Sequence, residues 1–182
     1  MLGNATPATM LSTYHVLKDA SLLSRVRESF DKQLKRTALV DLNLSDLIKD
    51  PLVSSVQAEV LRLYVNVCVM VNSPHSDVPL GKWWMPKGST ALVHSSVTHK
   101  DERFWNTQDG IHPVQSFWAD RFITDPNDKL SGPVQPALRD KDLPDPQRND
   151  GKPYFSLQGL EASWMPYGGK SYTIVVLVST NS

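Results

Sequence analysis

Glu59 and Arg62 stand three positions apart in Glu59-Val60-Leu61-Arg62, inside a segment whose other residues are mostly apolar. At that spacing both side chains fall on one face of a helix. Asp50-Pro51 ahead of them supplies an N-cap and a proline for the first helical position, and Leu52, Val56, Val60 and Leu63 repeat at helical intervals, so the helix seeks burial. A carboxylate and a guanidinium enter a core together only if their remaining donors and acceptors are met, which predicts a third polar partner. Arg121, in Phe117-Trp118-Ala119-Asp120-Arg121-Phe122, is the candidate. The chemistry of such a trio is holding, since a carboxylate clasped by two guanidiniums keeps its charge and makes a poor proton shuttle. The competing reading is a solvated helical pair, the commoner fate of this spacing taken alone and worth little.

Other reactive residue types are sparse. Cys68 is the single cysteine, which excludes an intrachain disulfide and gives no zinc spacing with the five histidines. Its setting in the β-prone run Val65 to Val71 predicts a buried, inert thiol. His94 and His99 are five apart and share neither a helix face nor a strand face, so a metal pair is not expected. A local hydrogen bond in the Thr98-His99-Lys100-Asp101 turn is expected of His99 instead. Trp83 and Trp84 are adjacent and point to opposite faces of an extended chain, one to pack and one to cover a loop. The 19 basic and 19 acidic side chains balance, leaving no electrostatic case for nucleic acid or an anionic membrane, and no basic-aromatic surface supports a nucleic-acid partner.

These residues need helices to carry them. Thr6-Pro7 reads as an N-cap and first-turn pair opening a helix to about Lys18, with Met10, Tyr14 and Leu17 along one side. A second helix starts near Ala20 after the Asp19 cap, with Leu22, Val26, Phe30 and Leu34 in one stripe. Short strands are predicted over 65–71, 82–85 and 89–95, the last two joined at Pro86-Lys87-Gly88 by a type I turn. Six prolines between Pro126 and Pro153 predict a long surface loop. The class is mainly α with small β elements. At 182 residues the length suits one domain; no eighteen-residue apolar run and no signal peptide is found, so no membrane anchor or targeting signal is read in this chain.

Taken in order, these motifs resemble cytochrome P450. Glu-x-x-Arg is similar to helix K, the aromatic-flanked Asp-Arg-Phe to the meander, and Trp164-Met165-Pro166-Tyr167-Gly168-Gly169 to the start of the heme loop. Gly3-Asn4-Ala5-Thr6-Pro7-Ala8 resembles the middle of helix I, Leu22 to Arg27 helix J, and Thr98 to Asp101 with Trp105 the segment after the strands. The Gly-Asn-x-x-Pro form is similar to the branch of cholesterol 7-alpha-hydroxylase, prostacyclin synthase and fungal secondary-metabolism enzymes. The resemblance implies a partial P450 fold over 1–169 and a non-family tail over 170–182. It implies that Gly3, Asn4 and Thr6 face the oxygen and substrate pocket, against the simpler reading of Asn4 as a helix cap. It implies that Glu59, Arg62 and Arg121 lock the fold beneath the heme loop, of which Pro166, Tyr167, Gly168 and Gly169 are the beginning. Asn72 stands where relatives often carry an arginine for a heme propionate.

For a full-length relative the resemblance implies a heme-thiolate cofactor, monooxygenation of an apolar small molecule, electrons from a P450 reductase, and residence on the cytosolic face of the endoplasmic reticulum membrane. The branch includes an isomerase, which is the alternative chemistry. The tail departs from the pattern: counting seven residues from Tyr167 reaches Ile174, where the family has its iron-binding cysteine. This chain is therefore expected to be inactive and to bind no heme thiolate, as a truncated or mis-spliced product. Gly169-Lys170-Ser171 can be encoded by a sequence carrying GTAAGT, a common intron donor, which offers read-through as the tail's origin.

Overall fold

The structure, a computed structural model, describes residues 5–34, 49–139 and 151–167. Four α-helices and three two-stranded antiparallel sheets are seen among them. Helix α1 (Ala5–Lys18) and helix α2 (Ala20–Leu34) meet at Asp19, whose Oδ1 accepts from the backbone N–H groups of Ser21 and Leu22. Thr6 lies inside α1 and does not cap it; Pro7 falls in the first turn, where its missing N–H would have no helical partner anyway. Helix α3 (Pro51–Tyr64) starts at Asp50, whose carboxylate caps the amides of Leu52 and Val53 and also accepts from Ser29 Oγ on α2.

Helix α3 is the hub. One side packs Leu52 and Val56 with Leu22 and Ala119, while Ala58 enters a second cluster with Trp105, Val114, Phe122 and Leu160. On the two packed sides polar side chains cannot reach water, and Ser55, Glu59 and Arg62 are all fully enclosed, whereas Gln57 stays exposed. Ser55 resolves its own case by accepting from the Phe122 amide.

Strand β1 (Cys68–Asn72) pairs with β4 (Thr90–His94), β2 (Val78–Leu80) with β3 (Trp83–Met85), and β5 (Ile123–Thr124) with β6 (Tyr154–Phe155). A one-turn helix, α4 (Ser95–His99), follows β4. No helix among the described residues is long and apolar enough to cross a membrane.

Several expectations change. Cys68 is exposed: alternation along β1 turns Val69 and Val71 inward and Cys68, Met70 and Asn72 outward, and a two-stranded sheet has one open face. Trp83 and Trp84 are both two-thirds exposed, because the β2–β3 hairpin buries only its ends, Val78 and Met85. Met10, Tyr14 and Leu17 are exposed; α1 turns the alternative helical stripe of Ala8, Leu11, His15 and Val16 toward its neighbours. The turn after β3 closes from the Ser89 amide to the Pro86 carbonyl with Gly88 at φ 78°, the positive angle of a type II turn and not type I.

The proline-rich stretch is not simply a surface loop. Ser131, Gly132 and Pro133 are buried, held because Asn106 donates to the carbonyls of Leu130 and Gly132 and because Trp105 bridges to Val134. Gly132 has φ 87°, and a Cβ there would stand 2.9 Å from Thr124 Oγ1 on β5. Gly132→Ala should therefore lower stability by on the order of 1–3 kcal/mol, through the left-handed backbone and the displaced threonine together. Denaturant titration of the variant beside the parent chain measures it.

Candidate functional site: a buried carboxylate between two guanidiniums

Helix α3 presents Glu59 and Arg62 on one face, and Arg62 grips the carboxylate with two parallel bonds: Nε to Oε2 at 2.7 Å and Nη2 to Oε1 at 2.9 Å. Arg121, 62 residues further on, adds Nε to Oε1 at 3.0 Å, and the Trp118 amide donates to the same oxygen at 3.2 Å. All three charged side chains have zero exposure. Charge-assisted bonds of this geometry are the strong kind, and they are needed, since each charge taken from water costs several kcal/mol.

One carboxylate cannot balance two guanidiniums, so backbone carbonyls make up the difference. Arg62 donates to the carbonyls of His99 at 2.6 Å and Val114 at 2.7 Å. Arg121 donates to Asn106, His112, Pro113 and Ser116 carbonyls. Burial, set against the Glu59 charge and reinforced by the Arg62 charge, still holds the Arg121 guanidinium below its ordinary pKa. Indole faces close the site: Trp105 lies 5.2 Å from the Arg62 guanidinium carbon and Trp118 lies 5.1 Å from that of Arg121. Beside Arg121, Asp120 pairs with Arg25 of α2; that pair is partly exposed and contributes little.

His99 is the residue the sequence did not assign correctly. Its bond is not local: the buried ring accepts the Met165 N–H at Nε2, 2.9 Å away and 66 positions along the chain. That bond makes Nδ1 the protonated nitrogen, and it has no hydrogen-bond partner among the described residues. Burial, aided by the Arg62 charge and partly offset by backbone interactions with Arg62 and Val65, pushes the imidazole pKa down to about 4. The signal available was the Thr98-His99-Lys100-Asp101 motif with Trp105; nothing in it names the partner.

The structure thus brings together Glu59, Arg62 and Arg121, with Pro166 buried and Tyr167 exposed at the end of the segment that His99 holds. Thr6 is exposed on α1. Gly3, Asn4, Gly168, Gly169 and Ile174 lie outside the described residues. Asn72 donates across the sheet to Thr90 Oγ1.

The sequence that carries this site is similar to known proteins over most of its length. The chain is 35% identical over 179 residues to cytochrome P450 monooxygenase efuG of Hormonema carpetanum, covering 93% of this chain and 31% of that protein. It is 33% identical over 182 residues to cytochrome P450 monooxygenase fsoE of Humicola fuscoatra, covering 92% and 29%. This chain is homologous to the cytochrome P450 monooxygenases. Cytochrome P450 81D1 of Arabidopsis thaliana is 28% identical over 116 residues, covering 61% of the chain and 22% of that protein. No family model and no solved structure matches the chain. The chain spans just under a third of the length of the fungal P450 relatives it matches.

The heme of the P450 family can be tested against the donors of this chain. The seventh residue after Tyr167 is Ile174, whose side chain has no donor atom, and Cys68 is an exposed residue of β1 outside that loop. No group of metal-binding side chains stands together among the described residues. The donor set of this sequence does not fit a heme thiolate.

Removing the central charge should be severe, because it leaves two buried guanidiniums facing one neutral amide. Glu59→Gln is expected to cost about 3–5 kcal/mol, against under 1 kcal/mol for breaking the exposed pair with Arg25→Gln. Hydrogen exchange at the Trp118 amide in both variants measures the difference. A pH effect follows from His99, which is neutral when folded. Its contribution is complete above the unfolded pKa of 6.5 and is lost as pH falls toward about 4, where only the unfolded form readily binds the proton. The opening free energy of the Trp118 amide should fall across that window, with a loss on the order of 2 kcal/mol absent from His99→Gln.

Proposed function

We propose that this chain is the clamp segment of a heme-thiolate monooxygenase. In this reading α1, α2 and α3 correspond to helices I, J and K of the cytochrome P450 fold, residues 1–169 form the partial P450 domain, and 170–182 are foreign to it. The observation that supports it is the enclosed Glu59 between Arg62 and Arg121, joined through His99 to Met165 at the head of the heme loop. Such a trio performs no proton transfer. It makes the loop's footing rigid, which is how a protein fixes a cofactor's geometry and tunes its electronics.

In the complete protein, a cysteine seven residues after Tyr167 would bind the heme iron, and Gly3, Asn4 and Thr6 would line the oxygen and substrate pocket. A heme held by that complete loop would supply oxygen activation, and the residues of this segment would orient the loop and exclude water from its base. Substrate would be an apolar small molecule and the electron donor a P450 reductase. By the family resemblance, a full-length eukaryotic relative would reside on the cytosolic face of the endoplasmic reticulum membrane.

For the polypeptide as given, Ile174 favours a second reading, a non-catalytic product of a retained intron. Transcript sequencing across Gly169 separates the two. A spliced form should continue the glycine loop to a cysteine seven residues after Tyr167, and that product should give a thiolate-type ferrous carbon monoxide spectrum. The chain ending in Ser182 should give none. Transcripts that all encode the Lys170–Ser182 tail would leave monooxygenation as ancestry, and a thiolate-type spectrum from the given chain would overturn the reading of Ile174.

A further inference from the structure

His99 is attached at both ends of its own structure to two different parts of the site. Its backbone carbonyl accepts from Arg62 Nη1 at 2.6 Å, so it belongs to the clamp. Its ring accepts the Met165 N–H at 2.9 Å, so it also belongs to the glycine loop's approach. The residue has zero exposure, and it closes α4, where the preceding Thr98 carbonyl is held by Trp105 Nε1 at 2.7 Å. Backbone and ring are thus tied, through Thr98, to the indole that covers Arg62.

The approach to the loop has few other constraints. The Trp164 indole reaches the Ala58 carbonyl of α3 at 3.3 Å, and the Trp164 amide bonds back to Leu160. Pro166 has no N–H to give, and Tyr167 is exposed. Met165 thus carries the last backbone donor before the proline, and what it bonds to sets how Pro166 and Tyr167 follow.

We infer that His99 is a positioning residue: it transmits the position of the Glu59 clamp to the glycine-rich loop by accepting the Met165 N–H on one ring nitrogen while its carbonyl holds Arg62. The importance for a cofactor rests on the function proposed above; the hydrogen bond itself does not, and its test uses no heme. Two variants separate acceptor from bulk. Gln at 99 places an amide oxygen near the Nε2 position, whereas Leu fills similar space with no acceptor.

Amide hydrogen exchange of the 182-residue chain at neutral pH reads Met165 against the Trp118 amide, which bonds to Glu59 and reports the clamp. In His99→Leu, Met165 should exchange about tenfold faster relative to Trp118, while in His99→Gln the ratio should stay within about threefold of the parent. Three results would overturn the inference: a parent Met165 amide exchanging as freely as an exposed one, a Leu variant with the parent ratio, or a Gln variant as impaired as Leu. Failure of heme binding by the spliced product would count against the proposed function and leave this ratio untouched.

Discussion

The charge on Glu59 is buried, and most of the structure around it can be derived from the need to keep it satisfied. A single guanidinium would neutralise it but leave lone pairs empty and the arginine's own donors unmatched. The second guanidinium fills the carboxylate and creates an excess of positive charge. Six carbonyls, those of His99, Asn106, His112, Pro113, Val114 and Ser116, absorb that excess. The chain between α4 and β5 has no long element of its own, yet it cannot wander, because each carbonyl must arrive where an arginine donor points. Side-chain donors here do for an irregular segment what a ladder of backbone bonds does for a sheet.

Water exclusion completes the arrangement. Trp105 and Trp118 lie over the two guanidiniums, and Trp105 continues into the apolar cluster of Phe122, Val114 and Leu160. Electrostatic attraction gains strength in such surroundings, and the cost of any unpaired group rises with it. The same burial keeps His99 neutral at physiological pH, and only a neutral imidazole can accept the Met165 N–H. Packing, charge and hydrogen bonding are therefore one constraint at this site and not three.

What could be read from residues alone follows from this. Asp50-Pro51 and the Glu59/Arg62 spacing announce themselves because their physics is local: a cap, a fixed φ, one helical turn. Arg121 could be nominated because a buried pair demands a third group. Strands of two or three residues, such as β2, β5 and β6, carry no period and were not anticipated. The stretch near Ser131 looked like solvent-facing loop because its reason for burial, two bonds from Asn106, lies more than twenty residues away. Helix α1 offered two apolar stripes of equal spacing, and only its neighbours could choose between them.

The distribution of unsatisfied surface is different from that of unsatisfied charge. Every charged group of the clamp finds its partner between Glu59 and Arg121, so this part of the molecule is closed on itself. The apolar groups are not: Met70 and Leu92 stand out from the β1–β4 pair, Trp83 and Trp84 from the β2–β3 hairpin, and Met10, Tyr14 and Leu17 from α1. Met70 and Leu92 are cross-strand neighbours and so leave a small apolar patch open to solvent. For a chain that matches just under a third of its fungal relatives' length, the division has a physical logic. Buried charge tolerates no gap and must be completed within the segment, whereas apolar area loses only its burial energy when a neighbour is missing. The clamp therefore holds its geometry whether or not these apolar faces are covered.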